Sequence, residues 1–562
     1  MTTVNSRRSR CLQTARGALA AALVYLGHIQ ASVAAVLCPN GILEPNLVER
    51  EQRRLHGLAW TATVTEGLAQ LLTWCSGLPD SGELADGAAL VLRIGFGEYL
   101  AQLIGGLPMS QNEFVRPSDL NAVDAAEDLA SDDCVRWFLS EGNTAQTRAT
   151  LADMLAGGWQ PADSLGDTTL DLIREQFRRF ADDIIAPHAH AWHLSDSLIP
   201  GTVIEAMAEL GVFGVCIAPE YGGLGLGKLA MCVVSEELSR GWIAAGSLST
   251  RAEIAGELIG MNGTAEQKLY WLPLLACGSA LPTAVFTEPG VGSDLASLRT
   301  KAHRQTDGSW RLTGSKTWIT HASRSDLMTL LARSDPRRSG HDGLSMFLIA
   351  KTRGTEGNPF PDRGLSGSEI PVLGYRGMKE YELSFDDFPV DMNAVLGGAD
   401  KEGGGFRQLM QTFESARIQT AARAIGVARK AFDLGLVYAS ERHQFGKPLI
   451  RFPRISDKIA LMAVETVIAR ELTYYSARAK DEGRRCDIEA GMAKLLAARV
   501  AWSNADISLQ IHGGNGYALE YEISRILCDA RVLSIFEGAA EVQANVVGRG
   551  LVGISIAASN QA

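Results

Sequence analysis

The sequence predicts a mainly α-helical protein with one inserted β-domain, and three observations carry that expectation. Residues about 44–156 and 168–281 space their apolar side chains at three- and four-residue steps, the period of a helix face. Residues about 282–395 break instead into short apolar runs bounded by Gly, Asp and Pro, the texture of strands and turns. From about 402 to 550 long amphipathic runs resume. The order helical, helical, β, helical places a β-barrel or sandwich between two helical bundles, with an extra helical domain ahead of them.

Taken in order, residues 1–43 carry four Arg and no acidic side chain, a charge of +4 against −15 for the remainder. After Arg16, GALAAALVYLG followed by ASVAA has the outline of an export signal, and Ser6-Arg7-Arg8 hints at a twin-Arg form. His28 and Gln30 interrupt the apolar run early, so the segment reads as a basic N-terminal arm or an amphipathic helix without stable membrane insertion. Residues 44–165 form a helical extension, in which Leu55, Leu58, Leu68, Leu71 and Leu72 recur at helical steps. Gly157-Gly158-Trp159-Gln160-Pro161-Ala162-Asp163-Ser164 reads as a linker. Residues 166–281 are an α-domain opening with TLDLIREQFRRFADDII. Residues 282–398 are the β-domain, with WRLTG, TWIT, LMTLLA, LSMFLIA and YELSF as strands. Residues 399–562 are the C-terminal α-domain, whose clearest helix, DKIALMAVETVIARELTYYSARA, ends at Asp481-Glu482-Gly483.

Composition narrows the function classes. Hydrophobic residues make up 46% and charged residues 21% of 562, the profile of a globular chain and not of a disordered, collagenous or disulfide-built one. A net charge of −11 gives no nucleic-acid footprint. Nine scattered Cys without a C-x-x-C pair read as thiols in a reducing compartment, which places the protein in the cytoplasm.

Several motifs invite chemistry. Gly222-x4-Gly227-Lys228 has a P-loop outline, but Leu229 stands where Mg²⁺ needs a hydroxyl, so a sharp inter-helix turn is the better reading. His188, His190 and His193 lack a neighbouring Cys or carboxylate and read as solvated residues of a polar loop, with no metal implied. TEPGVGSD (Thr287–Asp294) exposes backbone N–H groups and adds the hydroxyls of Thr287 and Ser293, suiting a cofactor ring or pyrophosphate, or else a decorated β-turn. Trp318, in Thr317-Trp318-Ile319-Thr320, is either an indole set against a flat cofactor or a core residue. Gln510–Tyr517 is a second backbone-exposing Gly turn. In Ile535-Phe536-Glu537-Gly538-Ala539-Ala540 a carboxylate among apolar neighbours has the makings of a general base, or of a Glu answering a helix dipole.

TEPGVGSD, GSKTWIT, YASERHQFGKP, QIHGGNGY and IFEGAAEVQ, in this order, resemble the acyl-CoA dehydrogenase family over about residues 168–550. The N-terminal segment IGFGEYLAQLIGGLPMSQ, with LGYRGMKEYEL and TFESARIQTAARAIGVA, resembles a branch of it that carries an extra helical domain and oxidises a short, branched, dicarboxylic acyl-CoA. The resemblance implies a non-covalent FAD lined by the Ala284–Ser293 loop (Phe286, Thr287, Gly292 and Ser293), by Trp318, Ile319 and Thr320, and by Gly538. Arg442, Phe445, Gln510, Gly513 and Gly514 would contact the FAD of a neighbouring subunit, which implies a homo-oligomer, a dimer or a tetramer. Glu537 matches the base that removes the α-proton while the β-hydride goes to flavin N5. Arg417 matches an Arg contacting CoA, and Ser293 and Glu537 would also meet the substrate. Relatives that keep the base on the earlier helix place it where this chain has Ala416, so Glu537 has no rival. A distal carboxylate needs a cation, and Arg251, in the segment that floors the acyl pocket in relatives, is the candidate, with a solvent-facing Arg as the alternative. An electron-transfer flavoprotein is the implied electron acceptor.

The chain departs from the family pattern at His321, usually Asn, at Ala539 and Glu541, usually Thr and Gln, and at Phe452-Pro453, usually a polar pair. Competing expectations are a general short- or branched-chain acyl-CoA dehydrogenase, an acyl-CoA oxidase, and a non-enzymatic relative that binds DNA in alkylation stress. The acidic charge and the intact FEG motif disfavour the last.

Overall fold

The computed structural model describes residues 2–79 and 82–559. It divides into two compact units, Met1–Asp171 with Thr420–Ala562, and Leu172–Gln419, and the second boundary falls inside the Gly405–Glu441 helix.

The first unit is helical and joins the N-terminal extension to the C-terminal bundle. The first residues do not form a separate arm. Thr2–Leu37 is one helix, because Ala15, Ala18, Ala22, Tyr25, Ile29 and Val33 line a single buried stripe at three- and four-residue steps. It packs on the Gln52–Gly77 and Ala540–Ser559 helices, and Gln30 Nε2 donates to the Leu551 carbonyl at 2.7 Å. By length and composition Ser9–Leu37 and Ala85–Gly105 could cross a membrane. In this unit each instead packs against neighbouring helices.

Gln52–Gly77 is buried along most of its length and meets the Pro453–Asp481 and Asp487–His512 helices. Gly67 permits the approach, since a Cβ there would lie 2.8 Å from Ile468 Cγ2. A buried polar knot adds specificity: Tyr99 donates to Glu465 at 3.2 Å, and Arg499 donates to the Pro108 carbonyl at 2.8 Å while stacking 4.9 Å over Trp60.

The second unit begins with helices, including Gly227–Gly241, Ile243–Asn262 and Ala265–Ala276, and continues into seven strands of one sheet. These are β1 (Pro282–Val285), β2 (Lys301–Arg304), β3 (Trp310–Thr320), β4 (Leu327–Arg333), β5 (Leu344–Ala350), β6 (Leu365–Ile370) and β7 (Glu380–Val390). They pair in the order β1-β4-β2-β3-β7-β6, with β5 antiparallel to β4. One face buries Trp310, Phe347, Phe385 and Phe388. Leu327, Leu331, Leu344 and Met346 instead pack with Leu258, Ile259, Leu272 and Leu275 of the helices.

The Gly222–Leu226 segment is a turn ahead of the Gly227–Gly241 helix, and Lys228 is engaged by Glu253 and Glu257, which leaves no phosphate role for it. The three His do not lie in a polar loop. They sit on the helix Ala186–Leu194 with His193 buried, and no metal-ligating cluster occurs among the described residues. All nine cysteines are unbridged.

Candidate active site

In the second unit, TEPGVGSD leaves β1 and turns where Glu288 and Val291 exchange backbone hydrogen bonds at 3.0 and 2.9 Å. The turn is anchored from below. Lys316, fully buried on β3, donates to the Phe286 carbonyl at 2.8 Å, the Leu331 carbonyl at 2.9 Å and Glu288 at 3.1 Å. Glu288 also accepts from the backbone N–H groups of Arg299 and Thr300 at 2.8 and 2.9 Å, and the Thr317 N–H donates to the Thr287 carbonyl at 3.0 Å. TEPG and GSKT are therefore one hydrogen-bonded body. Burial pushes the Lys316 ammonium down to about 8 against the opposing pull of Glu288. Burial alone would raise the Glu288 carboxyl, but the Lys316 charge and the donated hydrogen bonds hold it below the usual range.

What the anchored loop leaves outward is Gly292, Ser293 and Trp318, with Phe286 and Thr287 half-buried. Trp318 is 56% exposed and adopts φ 58°, at a register shift between Lys316 and Ile319 in the β3–β7 ladder. The bulge re-aims one side chain outward between buried Thr317 and buried Ile319. Ile319 faces the core, and the Thr320 hydroxyl donates to Glu380 at 2.9 Å, so these two offer a cofactor their backbone rather than their side chains. An outward indole beside a Gly turn with open space at Gly290 and Gly292 fits a flat ring system with a phosphate chain. Arg251 is buried on the Ile243–Asn262 helix and so is not a solvent-facing residue. Arg417 is half-buried, its guanidinium 6.0 Å from the Phe413 ring centre.

His321 follows the bulge, fully buried at φ 63°. Burial, with the charges of Arg324 and Arg353, pushes it down to about 3. The unfolded chain takes up this proton near pH 6.5, so stability contributed by neutral His321 is present above 6.5 and is lost as pH falls toward 3. His321→Asn, which suits a left-handed φ, is expected to remove about 2 kcal/mol of acid sensitivity by pH 5. Melting temperatures at pH 7.5 and pH 5 check this: the acid drop shrinks in the variant, and an equal drop contradicts it.

In the first unit, Phe445 and Gly446 have φ 51° and 78° at the tip of the His443–Gln444/Lys447–Pro448 hairpin, the geometry of a two-residue primed turn. Phe445 is thereby 92% exposed, and Phe452 supports the hairpin beneath it, with Lys447 Nζ 4.3 Å from its ring centre. Arg442 precedes the hairpin and is exposed. After the Asp487–His512 helix, His512 stacks on Tyr438 at 4.2 Å, and Asn515 donates to the hydroxyls of Tyr438 and Tyr521 at 3.0 and 2.8 Å. That frame holds Gln510, Gly513 and Gly514 exposed, with open space around both glycines.

Glu537 lies in the turn between the Ile523–Val532 and Ala540–Ser559 helices, with φ 51° followed by 89° at Gly538. The left-handed φ at 538 favours Gly, and a Cβ there would also displace the Gln543 amide. Lys494, fully buried on the Asp487–His512 helix, donates to the Gly538 carbonyl at 2.5 Å, and Gln543 donates to the Glu537 carbonyl at 3.4 Å. The carboxylate is not set among apolar side chains alone. Arg423 Nη2 lies 2.5 Å from Glu537 Oε2, and the Thr420 hydroxyl donates to the same oxygen. Thr420, Arg423, Lys494 and Gln543 went unmarked in the sequence. The available signal was a cation flanked by small apolar residues, as in AARAIG and GMAKLL.

Family models for the acyl-CoA dehydrogenase N-terminal, middle and C-terminal domains match residues 167–279, 283–388 and 403–552. The chain is 57% identical over 516 residues to (2S)-methylsuccinyl-CoA dehydrogenase of Cereibacter sphaeroides, covering 91% of this chain and 93% of that one. The structure of butyryl-CoA dehydrogenase from Megasphaera elsdenii superposes with a TM-score of 0.65 at 30% identity, covering 70% of this chain and all of that one. A glutaryl-CoA dehydrogenase from Mycobacterium smegmatis in complex with FADH2 gives a TM-score of 0.62 at 29% identity, covering 69% and 95%.

Proposed function

The chain belongs to the acyl-CoA dehydrogenase family, and from that membership we propose that it oxidises (2S)-methylsuccinyl-CoA to mesaconyl-CoA. The observation that carries the substrate is the 57% identity to the methylsuccinyl-CoA enzyme across 91% of the chain, N-terminal extension included. FAD is the cofactor, and when bound it supplies the two-electron acceptor for the β-hydrogen.

The chain's own residues do the rest. Glu537 accepts the α-proton, and its left-handed turn, tied by Lys494 and Gln543, keeps the carboxylate at one angle. The Glu537 backbone N–H is the donor we assign to the thioester carbonyl, where negative charge grows as the proton leaves. Trp318, Thr287, Ser293 and Gly292 are the surface we assign to the chain's own FAD, and Phe445, Gln510 and Gly513–Gly514 the surface we assign to the FAD of a neighbouring subunit.

The distal carboxylate of the substrate needs a buried cation, and Arg251 and Arg423 are both buried. Arg251→Ala is expected to lower kcat/KM for methylsuccinyl-CoA by roughly 100-fold, about 2.7 kcal/mol, and to leave butyryl-CoA oxidation within a fewfold of its starting value. Equal losses on the two substrates would remove Arg251 from the carboxylate site.

We assign electron-transfer flavoprotein as the electron acceptor; turnover that runs equally well on O₂ alone would contradict this. We also infer a homodimer, because the extension packs on the Pro453–Asp481, Asp487–His512 and Ala540–Ser559 helices and covers faces otherwise open to further subunits. Sedimentation of the full-length FAD-bound protein is expected to give a dimer, and a tetramer would contradict the inference.

A further inference from the structure

Of the two buried cations named for the distal carboxylate, Arg423 is the one that also pairs with the base itself. Its side chain is fully buried, and its guanidinium stacks 5.0 Å from the Phe536 ring centre. Nη2 donates both to Glu537 Oε2 at 2.5 Å and to Thr420 Oγ1 at 2.9 Å, and the Thr420 hydroxyl in turn donates to Glu537. In the free protein the base is therefore held in an ion pair.

A carboxylate hydrogen-bonded to a guanidinium is a poor proton acceptor. A buried guanidinium, for its part, gives up one anion readily only when another replaces it. We propose that Arg423 gates the base: it holds Glu537 in the free enzyme, and an acyl group that brings its own carboxylate draws it away and releases Glu537 for proton abstraction. The proposal rests on the dicarboxylic reading of the substrate. A monocarboxylic thioester supplies no replacement anion, so it binds while the base stays paired. Discrimination then falls on the chemical step and not on binding. Thr420 fits this exchange, since its hydroxyl keeps one hydrogen bond to Glu537 as the guanidinium leaves.

The test compares FAD-loaded wild type, Arg423→Gln and Arg423→Lys by anaerobic single-turnover bleaching of the flavin. The substrates are methylsuccinyl-CoA and isobutyryl-CoA, which keeps the α-methyl branch and lacks the distal carboxylate. In Arg423→Gln the gate predicts an isobutyryl-CoA rate higher by about tenfold, while the saturating methylsuccinyl-CoA rate stays within a fewfold of wild type and the loss on that substrate appears in its apparent affinity. Arg423→Lys, which keeps the cation, should hold the isobutyryl-CoA rate near that of wild type. An Arg that only binds the substrate carboxylate predicts no gain on isobutyryl-CoA, and that result overturns the gate.

A second measurement needs no variant. Formate, a free carboxylate, should accelerate bleaching of the wild-type enzyme by isobutyryl-CoA severalfold, and an unchanged rate also overturns the gate. Wild-type enzyme that bleaches with isobutyryl-CoA but not with methylsuccinyl-CoA overturns the substrate reading itself, a result distinct from either failure of the gate.

Discussion

A Glu537→Gln variant is expected to keep its FAD and its fold while losing about 1,000-fold in turnover. The Gln side-chain carbonyl still accepts from Arg423 and Thr420, so the turn that carries residue 537 keeps its bonds. What disappears is the negative charge, and with it the capacity to hold the α-proton. Flavin absorbance should match the parent, KM should change little and kcat should collapse, while the melting temperature falls because the buried Arg423 loses the charge of Glu537. A variant that turns over at the parental rate would move the base elsewhere. Ala416, at the position used by relatives with a displaced base, carries no group that could take the role.

The second large effect is expected at Lys316. Lys316→Met removes one ammonium that serves two carbonyls and one buried carboxylate. Breaking a buried pair from one side costs about 3–5 kcal/mol, because Glu288 remains buried with its charge uncompensated. The loss falls on the loop that runs from Phe286 to Asp294, so weakened flavin retention should accompany the lowered melting temperature. The ratio of flavin to protein absorbance after gel filtration measures the first, and thermal unfolding the second. Parental values for both would mean that the Lys316 tie does not hold the loop. Glu537→Gln and Lys316→Met therefore separate the two jobs: one abolishes chemistry with flavin retained, the other loses flavin with Glu537 intact.

The parts of this protein that were legible in the sequence are those where the backbone itself is unusual. QIHGGNGY and FEG place glycine at left-handed φ, 59° at Gly513 and 89° at Gly538, and such demands leave a local signature. The alternation of helical and strand texture was legible for the same reason, since burial on one face repeats at a fixed period. Long-range ties leave no such mark. Lys316 and Glu288 lie 28 residues apart and Arg423 and Glu537 lie 114 apart, and nothing near either cation in sequence names its partner. For Thr2–Leu37 the amphipathic-helix reading holds and the arm does not. Its Arg residues and its Ala-rich run fit an arm, an amphipathic helix or an export signal, and in the folded unit the Ala stripe at positions 15, 18 and 22 is the contact that buries it. Small residues spaced along one helix face can mark close packing as well as a processing signal, and composition does not separate the two. Trp318 shows the remaining limit: alternation along β3 would turn it opposite to its neighbours, but only the register shift and φ 58° make it 56% exposed.

The most direct measurement is anaerobic addition of (2S)-methylsuccinyl-CoA to the FAD-loaded protein, followed by the visible flavin spectrum and the thioester product. Wild type is predicted to bleach fully with mesaconyl-CoA appearing in equal amount, and Glu537→Gln to stay yellow over the same interval. A wild-type spectrum that stays oxidised, or equal bleaching in both proteins, would contradict the assignment of Glu537 as the base acting on this substrate.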